Sequence, residues 1–327
     1  MLPSFRYVRP RSVAEAVKAL AETGARAHAG GTDLVGCLRD GVFSAKSVVS
    51  LSGLAELKGV SATKDGGFRL GALTTLAEIA RHPEIAKGWP ALSQGAAAAA
   101  SPQLRNQGTL GGNLCQRPRC WYFRGDFECA RKGGEICYAV EGENTYHAIF
   151  GGSGCFIVHP SDTASPLVAL QATVRIAGPK GTRSVPVEKL FVLPAVDHTR
   201  ETALAPGEMV TEILLPPPLA GGKGLYKKVR ARGAWDFALG GVALALSVKD
   251  GKVVSARVVL SGVAPIPWRV PEVEKLLVGR PLDAGVAAEA AELAVKGAEP
   301  MSGNDYKIPL VKGVVEEALL SLVRPGA

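Results

Sequence analysis

The sequence predicts an α+β chain: an N-terminal region in two subdomains, 1–58 and 59–218, followed by a C-terminal domain, 222–327, of antiparallel sheet plus helices. Three observations predict it. A helix signal stands between two short apolar runs at the start, and strand-like runs joined by an Asp–Gly turn precede a series of helices at the other end. Between these lies Pro216–Pro217–Pro218–Leu219–Ala220–Gly221–Gly222, where prolines cannot donate to a ladder and glycines cannot hold a helix. At 327 residues the chain exceeds the usual size of one domain, so each part can bury its own core.

In chain order, Ser12 can cap a first helix, Glu15 completes a capping box, Ala16, Val17 and Leu20 form one apolar face, and Gly24 ends it. A strand over Ala25 to Ala29 runs into Gly30–Gly31. The run Ser47 to Leu51 reads as its parallel neighbour, because a crossover of this length joins parallel strands. A second subdomain begins near residue 60 with a strand from Phe68 to Ala72, a helix from about Thr75 to Arg81 and an alanine-rich helix from about Ala91 to Ala100. Between Arg117 and Gly154 periodicity disappears while Gly and Cys concentrate, which argues for a loop organised by a ligand. Regular signal resumes with Cys155 to His159 as a strand, a helix through Leu167 and Leu170, and Val174 to Ile176 as a strand. Past the proline run come strands over Leu225–Val229, Gly241–Val248 and Val253–Leu260, the last two joined by Lys249–Asp250–Gly251–Lys252. Helices follow over about Val270–Leu277, Ala284–Gly297 and Pro309–Val323.

With 47% hydrophobic and 21% charged residues, the chain reads as soluble and globular rather than disordered or fibrous. The net charge of +8 comes from Lys and Arg scattered among acids, with no basic stripe interleaved with aromatics, so nucleic acid is not the expected partner. A mild positive charge suits an anionic cofactor or an acidic partner. No apolar run approaches the ~18 residues of a membrane span, and the opening residues lack a secretory h-region. Cytoplasm is the expected compartment.

Two glycine constellations carry candidate chemistry. Ala27–His28–Ala29–Gly30–Gly31–Thr32–Asp33–Leu34 places a glycine pair between a strand and a polar turn, where main-chain amides and the Thr32 hydroxyl could meet a diphosphate; a tight turn capped by Thr and Asp is the bland alternative. Gln107–Gly108–Thr109–Leu110–Gly111–Gly112–Asn113–Leu114 repeats the theme in the second subdomain, so the two could grip one dinucleotide from opposite sides. Neither is a Rossmann fingerprint or a P-loop.

The third constellation is Cys120, Cys129, Cys137 and Cys155, with eight, seven and seventeen residues between them. Four thiolates suffice for a cubane whose irons take one cysteine each. Zinc more often shows close CxxC pairs, and disulfide frameworks suit small secreted scaffolds. Cluster, zinc site and free structural thiols all stay open on the residues alone.

The order Ala-Gly-Gly-Thr-Asp-Leu, Gly-Thr-Leu-Gly-Gly-Asn and His159–Pro160–Ser161–Asp162–Thr163–Ala164 resembles the FAD-binding subunit of the xanthine dehydrogenase and carbon monoxide dehydrogenase family. Tyr226 to Arg232 and Asp236–Phe237–Ala238 extend the resemblance over nearly the whole chain. It implies a two-subdomain PCMH-type FAD-binding domain and a C-terminal domain of the carbon monoxide dehydrogenase flavoprotein type. It further implies that Ala27, His28, Ala29, Gly30, Gly31, Thr32, Asp33, Leu34, Thr109, Gly111, Gly112 and Asn113 bind FAD, with Asp162, Lys228 and Val210 contacting it from other directions. Plain alternatives for these three are a helix N-terminal acid, a solvated strand lysine and a core valine.

The words Gln116 to Arg124 and Asn144 to Gly151 resemble the flavin subunits of 4-hydroxybenzoyl-CoA reductase and bacterial aldehyde oxidoreductases, which insert a [4Fe–4S]-binding loop here, at about 117–155. By that resemblance Cys120, Cys129, Cys137 and Cys155 are the ligands and Cys115 is a small buried residue; Cys37, near the flavin loop, reads as a core residue rather than a redox group, and His147 and His159 as donors to a cluster sulfur or to backbone rather than ligands. The implied partners are a large molybdopterin-binding subunit, a small [2Fe–2S] subunit and an external electron acceptor, whether NAD, ferredoxin, quinone or O2. Related complexes can be exported folded on a partner's twin-arginine signal, which makes periplasm the alternative compartment. A stand-alone FAD oxidase and a zinc-stabilised interaction module are the competing functions.

Overall fold

Three separate sheets carry the chain in the computed structural model, which describes residues 1–323; the last four positions of the predicted 222–327 domain lie outside the described residues. The first sheet is wholly parallel in the order β1 (Arg6–Val8), β3 (Ser47–Ser50), β2 (Ala25–His28). The predicted pairing of the second and third strands is present, with Ala27 opposite Val49. The edge strand β1 escaped the reading because it is only three residues long and largely exposed. Ser12 caps the helix Val13–Leu20 by accepting from the Glu15 amide at 3.2 Å. The expected box closes only halfway: the Glu15 carboxylate accepts from the Arg11 amide instead of that of Ser12. Gly24 lies beyond the helix, at φ +81°, where it turns the chain into β2.

The second sheet is antiparallel and runs β4 (Val60–Ala62), β5 (Phe68–Gly71), β8 (Met209–Leu215), β6 (Thr173–Gly178), β7 (Gly181–Pro186). Its centre, β8, arrives long after β5 in sequence, so the pairing that completes the sheet is long-range. Beneath it Leu70, Ile79, Leu92, Leu110, Leu114 and Leu167 are fully buried, each contributing roughly 1.5–3 kcal/mol by leaving water.

The third sheet runs β9 (Gly222–Val229), β10 (Gly240–Lys249), β11 (Lys252–Ser261), β12 (Trp268–Arg269). The predicted hairpin forms with Asp250 at φ +50° and Gly251 at φ +75°, the left-handed pair that a two-residue turn of this twist requires. Strand β10 is buried on both faces, and its alternation shows why. Ala243 and Ala245 pack into the core of the second subdomain, whereas Val242, Leu244 and Leu246 pack under the helices Pro271–Leu277, Ala284–Ala294 and Lys307–Ser321. Small residues face the crowded side, and large ones fill the other.

Two local expectations are corrected. Cys155 to His159 is extended but joins no ladder; its main chain bonds singly to loops, Ala148 N–H to Phe156 O and His159 N–H to Ala264 O, both at 2.9 Å. The predicted glycine loop around Thr109 is instead a short helix, Leu110–Leu114, capped by Thr109. Among the described residues no helix is long and apolar enough to cross a membrane.

Candidate functional sites at the subdomain junction

The first site is a cavity of about 250 Å³ between β2, the start of the helix Leu110–Leu114 and β8. Ala27, Ala29, Gly30, Gly31, Thr32, Asp33 and Leu34 line it; His28 does not, and its ring stands edge-on to Tyr7. Gly31 has φ +73°, and a Cβ there would also press on the His28 ring. Gly30 serves packing: a Cβ would lie 1.8 Å from the Gln107 carbonyl oxygen, where the two glycine segments touch. Among the described residues the N–H groups of Gly30, Gly31, Thr32 and Asp33 find no acceptor within the chain. Successive unpaired amides on a turn make an anion-binding concavity.

Thr109, Gly111, Gly112 and Val210 form the opposite wall, but Asn113 does not reach it. Three amides of this segment are already used: Leu110 N–H bonds to Thr74 O and Gly111 N–H to Ala72 O, both at 2.9 Å, and Gly112 N–H to Thr109 Oγ1 at 3.2 Å. The two glycine segments therefore differ: the first presents four successive main-chain donors without partners among the described residues, and the second has the amides of Leu110, Gly111 and Gly112 already bonded. Asn113 instead accepts from Ser161 Oγ at 2.6 Å and Thr163 Oγ1 at 2.7 Å, tying the helix to the 159–164 segment.

Arg26 and Arg117 also line this cavity and were missed. Burial, and then the charge of Arg117, hold the Arg26 guanidinium below its usual range, so the two cations oppose each other in a space that an anion would neutralise. Arg26 Nε and His28 Nδ1 are buried without partners. The signal was present in the sequence only as a basic residue directly before Ala27.

A second cavity, of about 320 Å³, is lined by Cys120, Trp121, the 158–162 segment, Phe237 and Gly262. Asp162 stands in its wall, paired with Lys228 Nζ at 2.7 Å and accepting from the Tyr226 hydroxyl at 2.7 Å. Lys228, predicted to approach a ligand from another direction, lines neither cavity; it neutralises Asp162, and both side chains are almost wholly buried. Burial pushes the Asp162 carboxyl up, against the opposing pull of Lys228. Arg119 connects the two sites, since it lines the second cavity and lies 3.0 Å from the Asp33 carboxylate of the first.

The four predicted cysteines come together. Cys120, Cys129, Cys137 and Cys155 line one small cavity beside the second, and all are free thiols. His147 Nε2 lies 3.2 Å from Cys120 Sγ, and Arg131 Nη1 lies 3.8 Å from Cys155 Sγ. Burial pushes the Cys120 thiol up to about 12 and the His147 imidazole down to about 4. His159 Nε2 faces the Leu114 carbonyl at 3.3 Å rather than sulfur. Cys115 lines the first cavity and Cys37 is fully buried; neither lines the cysteine cavity. Among the described residues no three of His, Cys, Asp and Glu converge tightly enough to hold a single metal ion.

Residues 3–218 match the FAD binding domain in molybdopterin dehydrogenase, and residues 224–322 match the CO dehydrogenase flavoprotein C-terminal domain. The aldehyde oxidoreductase FAD-binding subunit PaoB of Escherichia coli is 37% identical over 97% of this chain and 98% of its own length. The carbon monoxide dehydrogenase medium chain of Afipia carboxidovorans is 28% identical over 92% of this chain and 90% of its own. Among solved structures, a chain of cyanide-inactivated Cu,Mo-CO dehydrogenase superposes with a TM-score of 0.78 at 25% identity, with 98% of each chain covered. A chain of quinoline 2-oxidoreductase from Pseudomonas putida gives 0.77 at 27% identity, with the same coverage. The chain therefore belongs to the FAD-binding subunits of the molybdopterin dehydrogenases, as the flavoprotein subunit of a heteromeric molybdenum hydroxylase.

Proposed function

We propose that Ala27, Ala29, Gly30, Gly31, Thr32, Asp33 and Leu34 bind the FAD diphosphate in the first cavity, with Thr109, Gly111, Gly112 and Val210 walling it. The single observation that carries this reading is the run of four unpaired main-chain N–H groups, Gly30 to Asp33, beside two arginines that repel each other. His28 and Asn113 act through packing and through the Ser161 and Thr163 hydroxyls. Asp162, neutralised from behind by Lys228, walls the second cavity for the rest of the cofactor, and Arg119 bridges the cavities. When bound, FAD supplies a centre that exchanges electrons singly or in pairs.

The chain would receive electrons from a small [2Fe–2S] subunit, draw them ultimately from a large molybdopterin-binding subunit, and deliver them to an external acceptor such as NAD, ferredoxin, quinone or O2. Exposed Trp121, Phe127, Ile136, Val140 and Tyr146 crowd the cysteine segment and offer an apolar face for a neighbour. A [4Fe–4S] cluster held by Cys120, Cys129, Cys137 and Cys155 is supported by four free thiols on one cavity. A cubane takes one cysteine at each iron and spreads its ligands, whereas zinc would draw four sulfurs to one point at about 2.3 Å. Domain limits of 1–58, 59–218 and 222–327, with the insertion at about 117–155, are supported by the three sheets, one of which falls in each part.

Replacing Arg26 with Glu tests the flavin site. The purified complex should keep its far-ultraviolet dichroism and lose most of its flavin absorbance, because a carboxylate would stand where the diphosphate binds. Stoichiometric FAD in Arg26→Glu would remove the first cavity as the diphosphate site.

A further inference from the structure

A buried ion pair next to the cysteine cavity is not used by the flavin reading. Arg131 and Glu201 are only 2% and 7% exposed in their side chains. Both Nε and Nη2 of Arg131 donate to Glu201 Oε1, the former at 2.9 Å, and Nη1 donates to the His198 carbonyl at 2.6 Å. The same Nη1 points toward Cys155 Sγ at 3.8 Å. The other oxygen of Glu201 stands 2.9 Å from Arg117 Nε as an ion pair. Arg117 lies over the Phe123 ring at 4.9 Å, and its own amide donates to Asp33 at 2.7 Å. One carboxylate thus joins a cation that faces a cysteine to a cation that faces the flavin cavity.

We propose that Arg131 is a positioning residue that sets the reduction potential of the cluster held by Cys155, with Glu201 fixing its aim. The inference rests on the [4Fe–4S] reading above. A purely structural role is a weaker account of the geometry, since an apolar pair of the same shape would staple the segment without two desolvated charges. Apolar residues would also leave the sulfur without a donor. When the cluster takes up one electron and no proton, its negative charge grows, and a guanidinium N–H directed at a ligand sulfur stabilises that form. Arg131 therefore raises the potential, and the carboxylate of Glu201, held a few ångströms further back, lowers it.

The test is a redox titration followed by electron paramagnetic resonance on the anaerobically purified complex, with iron measured in every sample. Arg131→Gln should shift the midpoint to more negative values at unchanged iron, Arg131→Lys should shift it less, and Glu201→Gln should shift it the opposite way. Unchanged midpoints, or shifts of the same sign in Arg131→Gln and Glu201→Gln, overturn the proposal. If Arg131→Gln loses iron, Arg131→Lys decides: retained iron with a smaller negative shift supports the role, and loss of iron there too assigns the pair to structure alone. A wild-type complex without cluster iron refutes the reading beneath it, an outcome distinct from a cluster whose potential ignores Arg131.

Discussion

The glycine turn of residues 27–34 and the cysteine segment of residues 117–155 meet at one junction but are ordered in opposite ways. The turn is organised by its own backbone: a strand delivers it, Gly31 supplies the left-handed residue, and Gly30 lets the Gln107 carbonyl come close. Little outside it is needed, and its main-chain donors are left free. The cysteine segment has only two short helical turns, Trp121–Arg124 and Ala130–Lys132, and its side chains reach elsewhere for partners. Arg119 and Arg124 reach Asp33, while Arg117 and Arg131 reach Glu201. A ligand can enter the first region without rearranging it. In the second, a ligand would supply part of the fold.

The largest effect expected from this contrast follows loss of the cluster. Cys155→Ser should remove most of the iron, about four atoms per chain in the cubane reading. Hydrogen exchange should then quicken across 117–154, because metal binding supplies free energy that orders such a segment, while residues 27–34 keep their protection and FAD stays bound. Equal loosening of both regions would erase the distinction. The same substitution at Cys115 or Cys37 should leave iron content intact, since neither lines the cysteine cavity.

Asp33 is where the two regions touch, so it offers a sharper test at smaller cost. Its carboxylate accepts from Arg117 N–H and Arg124 Nη2, both at 2.7 Å, and is 3.0 Å from Arg119 Nη2. Asp33→Asn keeps the shape and removes the charge. A loss of about 2 kcal/mol is expected, the scale of a hydrogen bond to a charged group, read as a lower urea midpoint at unchanged slope. The cysteine segment should loosen more than the turn. A stability change within error would mean that the arginines hold the segment without Asp33.

How far these regions were legible in sequence follows from the same difference. The hairpin at Asp250–Gly251, the alternation of Val242 to Leu246 and the turn at Gly30–Gly31 are each written within a few residues, so local rules reach them. Strands β4, β7 and β8 were not recognised, although β8 is the centre of its sheet; its run Met209–Leu215 is interrupted by Thr211 and Glu212, and Glu212 is buried only because Arg69 and Arg175 pair with it. The pairing of Arg131 with Glu201 across seventy residues has no local signature at all. The four cysteines were visible because a thiol is rare and its clustering needs no partner elsewhere in the chain to be noticed. Lys228 was singled out as a cofactor contact, and the structure pairs it with Asp162, a partner sixty-six residues away that a single sequence does not reveal.

The smallest effect expected concerns Thr109, which was read as an anion donor on a glycine loop and stands instead at a helix start. Its hydroxyl oxygen accepts from the Gly112 amide at 3.2 Å while its O–H remains available to the first cavity, so it has one structural and one ligand-facing role. Thr109→Ala removes both and should lower stability by about 1 kcal/mol, the usual cost of an N-cap. FAD content should fall only modestly, because the free amides of the opposing turn remain. Thr109→Ser restores a hydroxyl at the same place and should recover both quantities. If Thr109→Ala empties the flavin site as completely as Arg26→Glu, the helix start is a second grip rather than a wall, and the asymmetry between the two sides of the cavity disappears.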